Sequence, residues 1–210
     1  MYKLYYSPST AAMAPHILLR ELAVPHELVL TDTERAAHRE PAYLKLNPHA
    51  RVPTLVDGEL VVYEAAAICL YLCDRHPEAG FAPPAGDQAR GDLYKWLVYL
   101  TNTIQPEMLV HFYPERWVAA DQATALKARA VDRLAEMFAK IDTHLADRPY
   151  LFGDTISAAD IYLFMLSRWT RNMTRKARDL PNLRRLLERV MARQATREVF
   201  AIEGIAEPYY

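Results

Sequence analysis

The chain holds only two cysteines, Cys69 and Cys73. They stand four apart in a run with helical spacing, so they share one helix face and do not make the C-x-x-C of a redox site. Buried, reduced thiols are the reading this spacing supports. Net charge is nearly absent as well. The 25 Lys+Arg and 26 Asp+Glu leave −1, and their dispersal argues against a nucleic-acid footprint and against a surface that grips anionic lipid. No apolar run approaches the roughly 18 residues of a membrane span, and no basic leader with an apolar core opens the chain. The expectation is a soluble, cytoplasmic protein with no membrane partner. Internal repeats, low-complexity tracts and clusters with metal-ligand spacing are missing too, and the seven histidines are scattered. No metal is expected.

What is present suits two small domains, since 210 residues can fill two cores. The most informative stretch runs from Asn47 to Leu72. Val52-Pro53 withholds a backbone donor where the apolar run Thr54-Leu55-Val56 begins a strand, and the bond before Pro53 can be cis. Asp57-Gly58 separates that run from Leu60-Val61-Val62-Tyr63, the spacing of a type I′ hairpin. Glu64 follows directly, and Ala65-Ala66-Ala67-Ile68 starts a strong helix former with an acid at its positive end.

Upstream, Tyr2 to Tyr6 alternates as a strand and Ser7-Pro8-Ser9-Thr10 breaks it. Met13, Ile17, Leu18 and Leu22 then form one helical side, on which Pro15 fits only within the first turn. His26 to Leu30 reads as a second strand, parallel to the first, and Pro41 to Leu44 as a short helix. The order is βαβαββα. Pro83-Pro84-Ala85-Gly86 makes a stiff linker, after which spacing is helical throughout. Asp92 to Ile104 carries Leu93, Trp96, Leu97, Leu100 and Ile104 on one face; Ala125 to Leu145 carries a second such face. This divides the chain into residues 1–77, a linker 78–86, and an all-helical domain 87–210. Ser157-Ala158-Ala159-Asp160 is a capping box whose role is stability, about 1 kcal/mol for the cap.

Val52-Pro53, Asp57, Glu64, Ala67-Ile68 and Tyr71-Leu72, in register, resemble the glutathione site of the glutathione transferase superfamily. Gly153 to Asp160, GDTISAAD, is a second family-like element, so the resemblance spans the chain. It implies an α/β thioredoxin-like N-terminal domain plus an all-α C-terminal domain, a homodimer, and glutathione as co-substrate for a small hydrophobic electrophile. By that resemblance Val52, before Pro53, pairs its backbone with the cysteinyl peptide. The Ala65 amide takes the γ-glutamyl carboxylate, as helix N-termini take anions, Glu64 reaches the amino group, and Arg51 approaches an anionic end. Many relatives have serine where Ala65 stands, a hydrogen bond of about 0.5 to 1.5 kcal/mol that is lost here.

A free thiol ionises near pH 8.5, so a transferase gains rate by stabilising the thiolate with a hydroxyl donor and a helix dipole. Ser7-Pro8 through Ala14-Pro15-His16 resembles bacterial beta-class enzymes. Their pattern has a cysteine at the position of Ala11, a serine at that of Ala12 and a histidine where Gln105 stands, so cysteine-dependent chemistry is not available. Hydroxyls remain. Lining Pro8 up with serine-type transferases makes Thr10 the first candidate thiol activator and Ser9 the second; a Ser or Thr just before a helix is also an ordinary cap. Met108, His111, Phe112, Tyr113 and Trp117 are candidate linings of an apolar substrate pocket, with core or dimer surface as equal alternatives, and Glu207 to Tyr210 either folds over the site or frays. The reading is a glutathione transferase conjugating small hydrophobic electrophiles. Two alternatives stand beside it: a non-catalytic glutathione- or ligand-binding protein, and a glutathione-dependent peroxide or disulfide reductase.

Overall fold

The computed structural model describes residues 1–210, the whole chain. Its contacts group it into two compact units, Met1–Ala85 with Ala192–Ala206, and Gly86–Met191 with Glu207–Tyr210. The first begins β1 (Tyr2–Tyr6), α1 (Met13–Glu21), β2 (His26–Leu30) and α2 (Pro41–Leu44), and continues β3 (Thr54–Asp57), β4 (Leu60–Tyr63) and α3 (Ala65–Arg75). The sheet order is β2-β1-β3-β4, with β1 parallel to β2 and antiparallel to β3, and β3 antiparallel to β4. This is the expected thioredoxin-like arrangement.

Alternation places Tyr2, Leu4 and Tyr6 inside and Lys3 outside. Pro15 is the third residue of α1, within the first turn where its missing amide costs no helical bond. On α3 both cysteines are buried, and burial raises the Cys69 thiol well above its usual range, with Cys73 adding to the effect. The hairpin differs from expectation by one position. Asp57 pairs with Leu60, so the two-residue loop is Gly58-Glu59, and within it Gly58 alone has positive φ. A type I′ turn needs two such residues.

The last helix, α9 (Gln194–Ile202), joins this first unit, whereas helical spacing alone had carried the second domain to residue 210. Arg20 Nε donates to Glu198 Oε2 at 2.9 Å and Arg193 Nη2 to Glu21 Oε2 at 2.7 Å, tying α9 to α1. Periodicity reports that a segment is helical, but not which core it joins.

The second unit is all helical: α4 (Arg90–Tyr99), α5 (Gln105–Phe112), α6 (Ala120–His144), α7 (Ala158–Trp169) and α8 (Pro181–Met191). The helix expected from Asp92 to Ile104 widens into a π turn at Leu100–Ile104. Pro106 lies in the first turn of α5; it supplies no amide, and its ring crowds the carbonyl four residues back, so the ladder shifts register just before it.

Almost all of α7 is buried, Asp160 completely. The Asp160 carboxylate accepts from the Ser157 amide (2.8 Å), the Ser157 hydroxyl (2.6 Å) and the Leu151 amide (2.8 Å). The box therefore closes from the aspartate side, with Ser157 donating its hydroxyl. Burial nevertheless pushes the Asp160 carboxyl up to about 6, against those three donors. Its folded value lies above its unfolded one, so the folded state binds the proton more tightly. The resulting stability is fully present below the ordinary aspartate range and is lost as pH rises toward 6. Asp160→Asn should remove this slope between pH 4 and 6 in urea titrations. It should also lower stability at neutral pH by about 1 to 3 kcal/mol, because one buried amide loses its acceptor. An unchanged pH slope would contradict the assignment.

Candidate functional site

The strand register decides which segments meet. Tyr5 pairs with Thr54, and Thr54 with Tyr63. In the antiparallel ladder the exit of β1, the entry of β3 and the exit of β4 therefore lie side by side at one end of the sheet. These are the Ser7–Ala12 loop leading into α1, the Val52-Pro53 bond, and Glu64-Ala65 opening α3. Thr10, Ser9, Val52, Pro53, Glu64 and Ala65, chosen from scattered parts of the sequence, thus share one sheet end. Two helix N-termini also converge there, each with amides that no helical carbonyl satisfies and a positive dipole end.

The Val52-Pro53 peptide is cis, Val52 is half-buried and Pro53 buried. The loop before it is held from below. Tyr43 Oη donates to the Arg51 carbonyl at 2.6 Å and lies 2.9 Å from Thr54 Oγ1. Asn47 Nδ2 donates to the same carbonyl at 2.8 Å, and Asn47 Oδ1 accepts from the His49 amide at 3.0 Å. Two donors on one carbonyl fix the peptide before Val52, while the Arg51 side chain stays exposed. The sequence marks Tyr43 only as part of a short helix and Asn47 as the first residue of the stretch that leads to Val52-Pro53, and neither signal discloses them as supports. The near burial of Asn47, a polar residue 2% exposed, becomes apparent only once the loop is folded.

Glu64 has φ 72 and ψ 112, a left-handed backbone on a non-glycine residue that costs on the order of 1–3 kcal/mol and marks a place where the chain is held for a purpose. Its side chain is exposed, and the Ala65 beside it is buried. The arrangement can present the first amides of α3 to an anion, with a carboxylate next to them for an ammonium group.

In the first loop Thr10 Oγ1 donates to the Ser7 carbonyl at 2.6 Å and accepts from the Ala12 amide at 3.3 Å. Its single proton is already engaged. Ser9 is left-handed, φ 60, and its amide donates to Glu203 Oε2 at 2.8 Å. The other Glu203 oxygen accepts from His16 Nδ1 at 2.8 Å, with both side chains fully buried. Glu203 therefore clamps the loop to α1 from a position nearly two hundred residues away. Burial, reinforced by the Glu203 carboxylate, raises the Tyr6 hydroxyl. Ala12 is fully buried and Ala11 half-buried, so these positions carry packing surface and no polar group. No local pattern around Glu203 announces its role.

In the second unit Met108 and His111 are buried, the core alternative of the sequence reading, while Phe112, Tyr113 and Trp117 are exposed. Burial lowers the His111 pKa. Gln105 Oε1 accepts from the Tyr162 hydroxyl at 2.5 Å. The tail is tied down: Arg168 Nη1 donates to the Pro208 carbonyl at 3.2 Å, Arg178 Nη1 to the Tyr210 carbonyl at 2.7 Å, and Tyr210 packs edge-on against Phe164. No helix is long and apolar enough to cross a membrane.

Residues 1–74 match the glutathione S-transferase N-terminal domain model and residues 124–189 the C-terminal one. The Xanthomonas campestris protein "Glutathione S-transferase GST-4.5" is 30% identical over 206 residues, 97% of this chain and 99% of that protein. A sphingomonad glutathione S-transferase solved with glutathione is 30% identical, with a TM-score of 0.83 over 97% of this chain and 100% of that one. A Sulfitobacter homologue, also with bound glutathione, is 25% identical with a TM-score of 0.89 over 98% and 99%.

Replacing Glu203 by alanine should remove the acceptor of buried His16 Nδ1 and that of the half-buried Ser9 amide. At about 1–3 kcal/mol each, urea denaturation should report a loss of roughly 2 to 6 kcal/mol, and a loss below about 1 kcal/mol would show that the clamp contributes little.

Proposed function

The chain belongs to the glutathione transferase superfamily, and on that premise we propose that it binds glutathione at the shared sheet end and conjugates its thiolate to small hydrophobic electrophiles, as a cytoplasmic homodimer. The observation that carries this reading is the convergence of the first loop, the cis Val52-Pro53 bond and the start of α3. In it the Val52 main chain pairs with the cysteinyl peptide, the Ala65 amide holds the γ-glutamyl carboxylate, Glu64 meets the amino group, and Arg51 approaches a carboxylate. These contacts fix the sulfur near the N-terminus of α1, where the dipole favours a negative charge. The thiol gives its proton to solvent; the thiolate forms a carbon–sulfur bond as a leaving group departs with the bonding pair, or as an activated double bond takes up a proton.

The hydroxyl contribution can be weighed. A hydrogen bond to a charged acceptor is worth about 1.5–3 kcal/mol against about 0.5–1.5 for a neutral one. Thr10 gains by leaving the Ser7 carbonyl for a thiolate, but that gain is offset by leaving a carbonyl of buried Ser7 unpaired. The Thr10 proton is therefore a smaller asset than an unengaged hydroxyl, and Ser9 shares the role. The same hydrogen bond favours a second reading, a glutathione-binding protein with little turnover.

Thiolate absorbance of bound glutathione, followed across pH, separates the two. The transferase reading expects an apparent pKa at least about one unit below the free thiol's 8.5, raised toward it by Thr10→Ala and further by the Ser9→Ala, Thr10→Ala double variant. Saturable binding with an unshifted thiol would establish the binding-only reading, and absence of binding would remove glutathione from both.

A further inference from the structure

The near-neutral balance of the chain conceals one strongly charged face. Between Arg171 and Arg189 stand six arginines and one lysine against only Asp179 and Glu188, a local +5 in a chain of net −1, while Arg168 just before them is buried. Helix α8 turns Leu183, Leu186, Leu187 and Val190 into the core of the second unit and leaves Arg184, Arg185 and Arg189 exposed. The segment before it adds Arg171 and Arg178, both half-exposed.

Arg175 meets a carboxylate, Asp132, at 3.4 Å, but no Asp or Glu side chain lies within ion-pair distance of Arg171, Arg184, Arg185 or Arg189. Main-chain carbonyls hold these four instead, whereas Arg178 meets a main-chain oxygen of Tyr210, the last residue, at 2.7 Å. Arg171 donates to the Arg168 carbonyl at 3.2 Å and Arg184 to that of Arg178 at 2.6 Å. Arg185 donates to the Ala146 carbonyl at 3.3 Å and to Asn182 Oδ1 at 2.8 Å, and Arg189 to the Pro149 carbonyl at 3.4 Å. A carbonyl uses one or two of a guanidinium's five N–H donors and leaves its charge uncompensated. These four side chains are thus oriented without being neutralised.

The chemistry narrows the partner. None of the large exposed hydrophobic residues falls between Arg168 and Met191, so the face offers no apolar wedge for lipid and no dry centre for a protein interface. It also lacks an exposed aromatic platform on which unpaired bases would stack. Arginine outnumbers lysine six to one between Arg171 and Arg189, and the guanidinium fork matches phosphate oxygens in pairs. We propose that this face binds the phosphate backbone of duplex nucleic acid, without reading bases. The even charge of the whole chain, which by itself argues against such a footprint, hides this local clustering; salt screens acidic surface beyond about 8–10 Å, and only Asp179 and Glu188 lie within the segment.

The test is fluorescence anisotropy of the full chain with a labelled mixed-sequence DNA duplex of about 20 base pairs across a salt series, where four or five phosphate contacts at about −0.9 each give a slope of log K against log salt near −4. The triple variant R184E/R185E/R189E should weaken binding at least about tenfold and flatten the slope by roughly 3, while leaving glutathione affinity unchanged. The corresponding triple lysine variant should keep the slope and bind more weakly. Circular dichroism verifies the folds, with R185E and R189E alone as fallbacks. No binding at low salt would overturn the proposal. So would a slope insensitive to the reversals, equal affinity for polyglutamate, or binding to phosphatidylserine vesicles in preference to the duplex.

Discussion

Everything at the candidate site depends on the pairing register that sets Tyr5 against Thr54 and Thr54 against Tyr63. A slip of one residue would turn every side chain of these short strands to the other face and carry the first loop, Val52-Pro53 and the start of α3 out of alignment. The register is specified from inside. Leu4 and Leu55 face one another with no exposure, Thr54 is fully buried beneath Tyr43 and Asn47, and Tyr2 and Tyr6 flank Leu4 on the same face. Hydrophobic burial thus fixes the position of polar main-chain groups that themselves contribute little to the core.

On that frame, main-chain geometry dominates the candidate site. The Arg51 carbonyl takes two donors so that Val52 is presented in one orientation. Glu64 holds a strained backbone where α3 begins, and Ser9 a left-handed one where the first loop turns. Glu203 fastens that loop from the far end of the chain through one carboxylate shared by Ser9 and His16. The return of α9 to the first unit therefore has a local consequence: the loop nearest the expected thiol position is set by a residue outside the thioredoxin-like segment.

The element order and the helical second unit were legible because each rests on local chemistry, such as alternation, proline placement or an acid before an alanine run, whereas Val52, Glu64 and Ala65 were singled out by the family resemblance. The pairing register came from the structure. What sequence could not disclose were long-range ties: Tyr43 and Asn47 under Arg51, Glu203 on Ser9, α9 against α1. Each joins polar residues whose types are common and whose partners lie anywhere in the chain. The hairpin was displaced by one residue because Asp-Gly suits several turn registers, and strand pairing decided among them. Thr10 was legible as a hydroxyl in the loop before α1, but its hydrogen bond to Ser7 was not. For Met108 and His111 the sequence left core and pocket wall open, since helical spacing fits both equally well, and the structure buries them.

The most direct measurement is a crystal structure of the protein with glutathione. The account expects the tripeptide at the sheet end, its cysteinyl main chain paired with Val52, its γ-glutamyl carboxylate on the Ala65 amide, and its sulfur at the N-terminus of α1. Glutathione bound elsewhere, or a sulfur turned away from the Ser9–Thr10 loop, would contradict it.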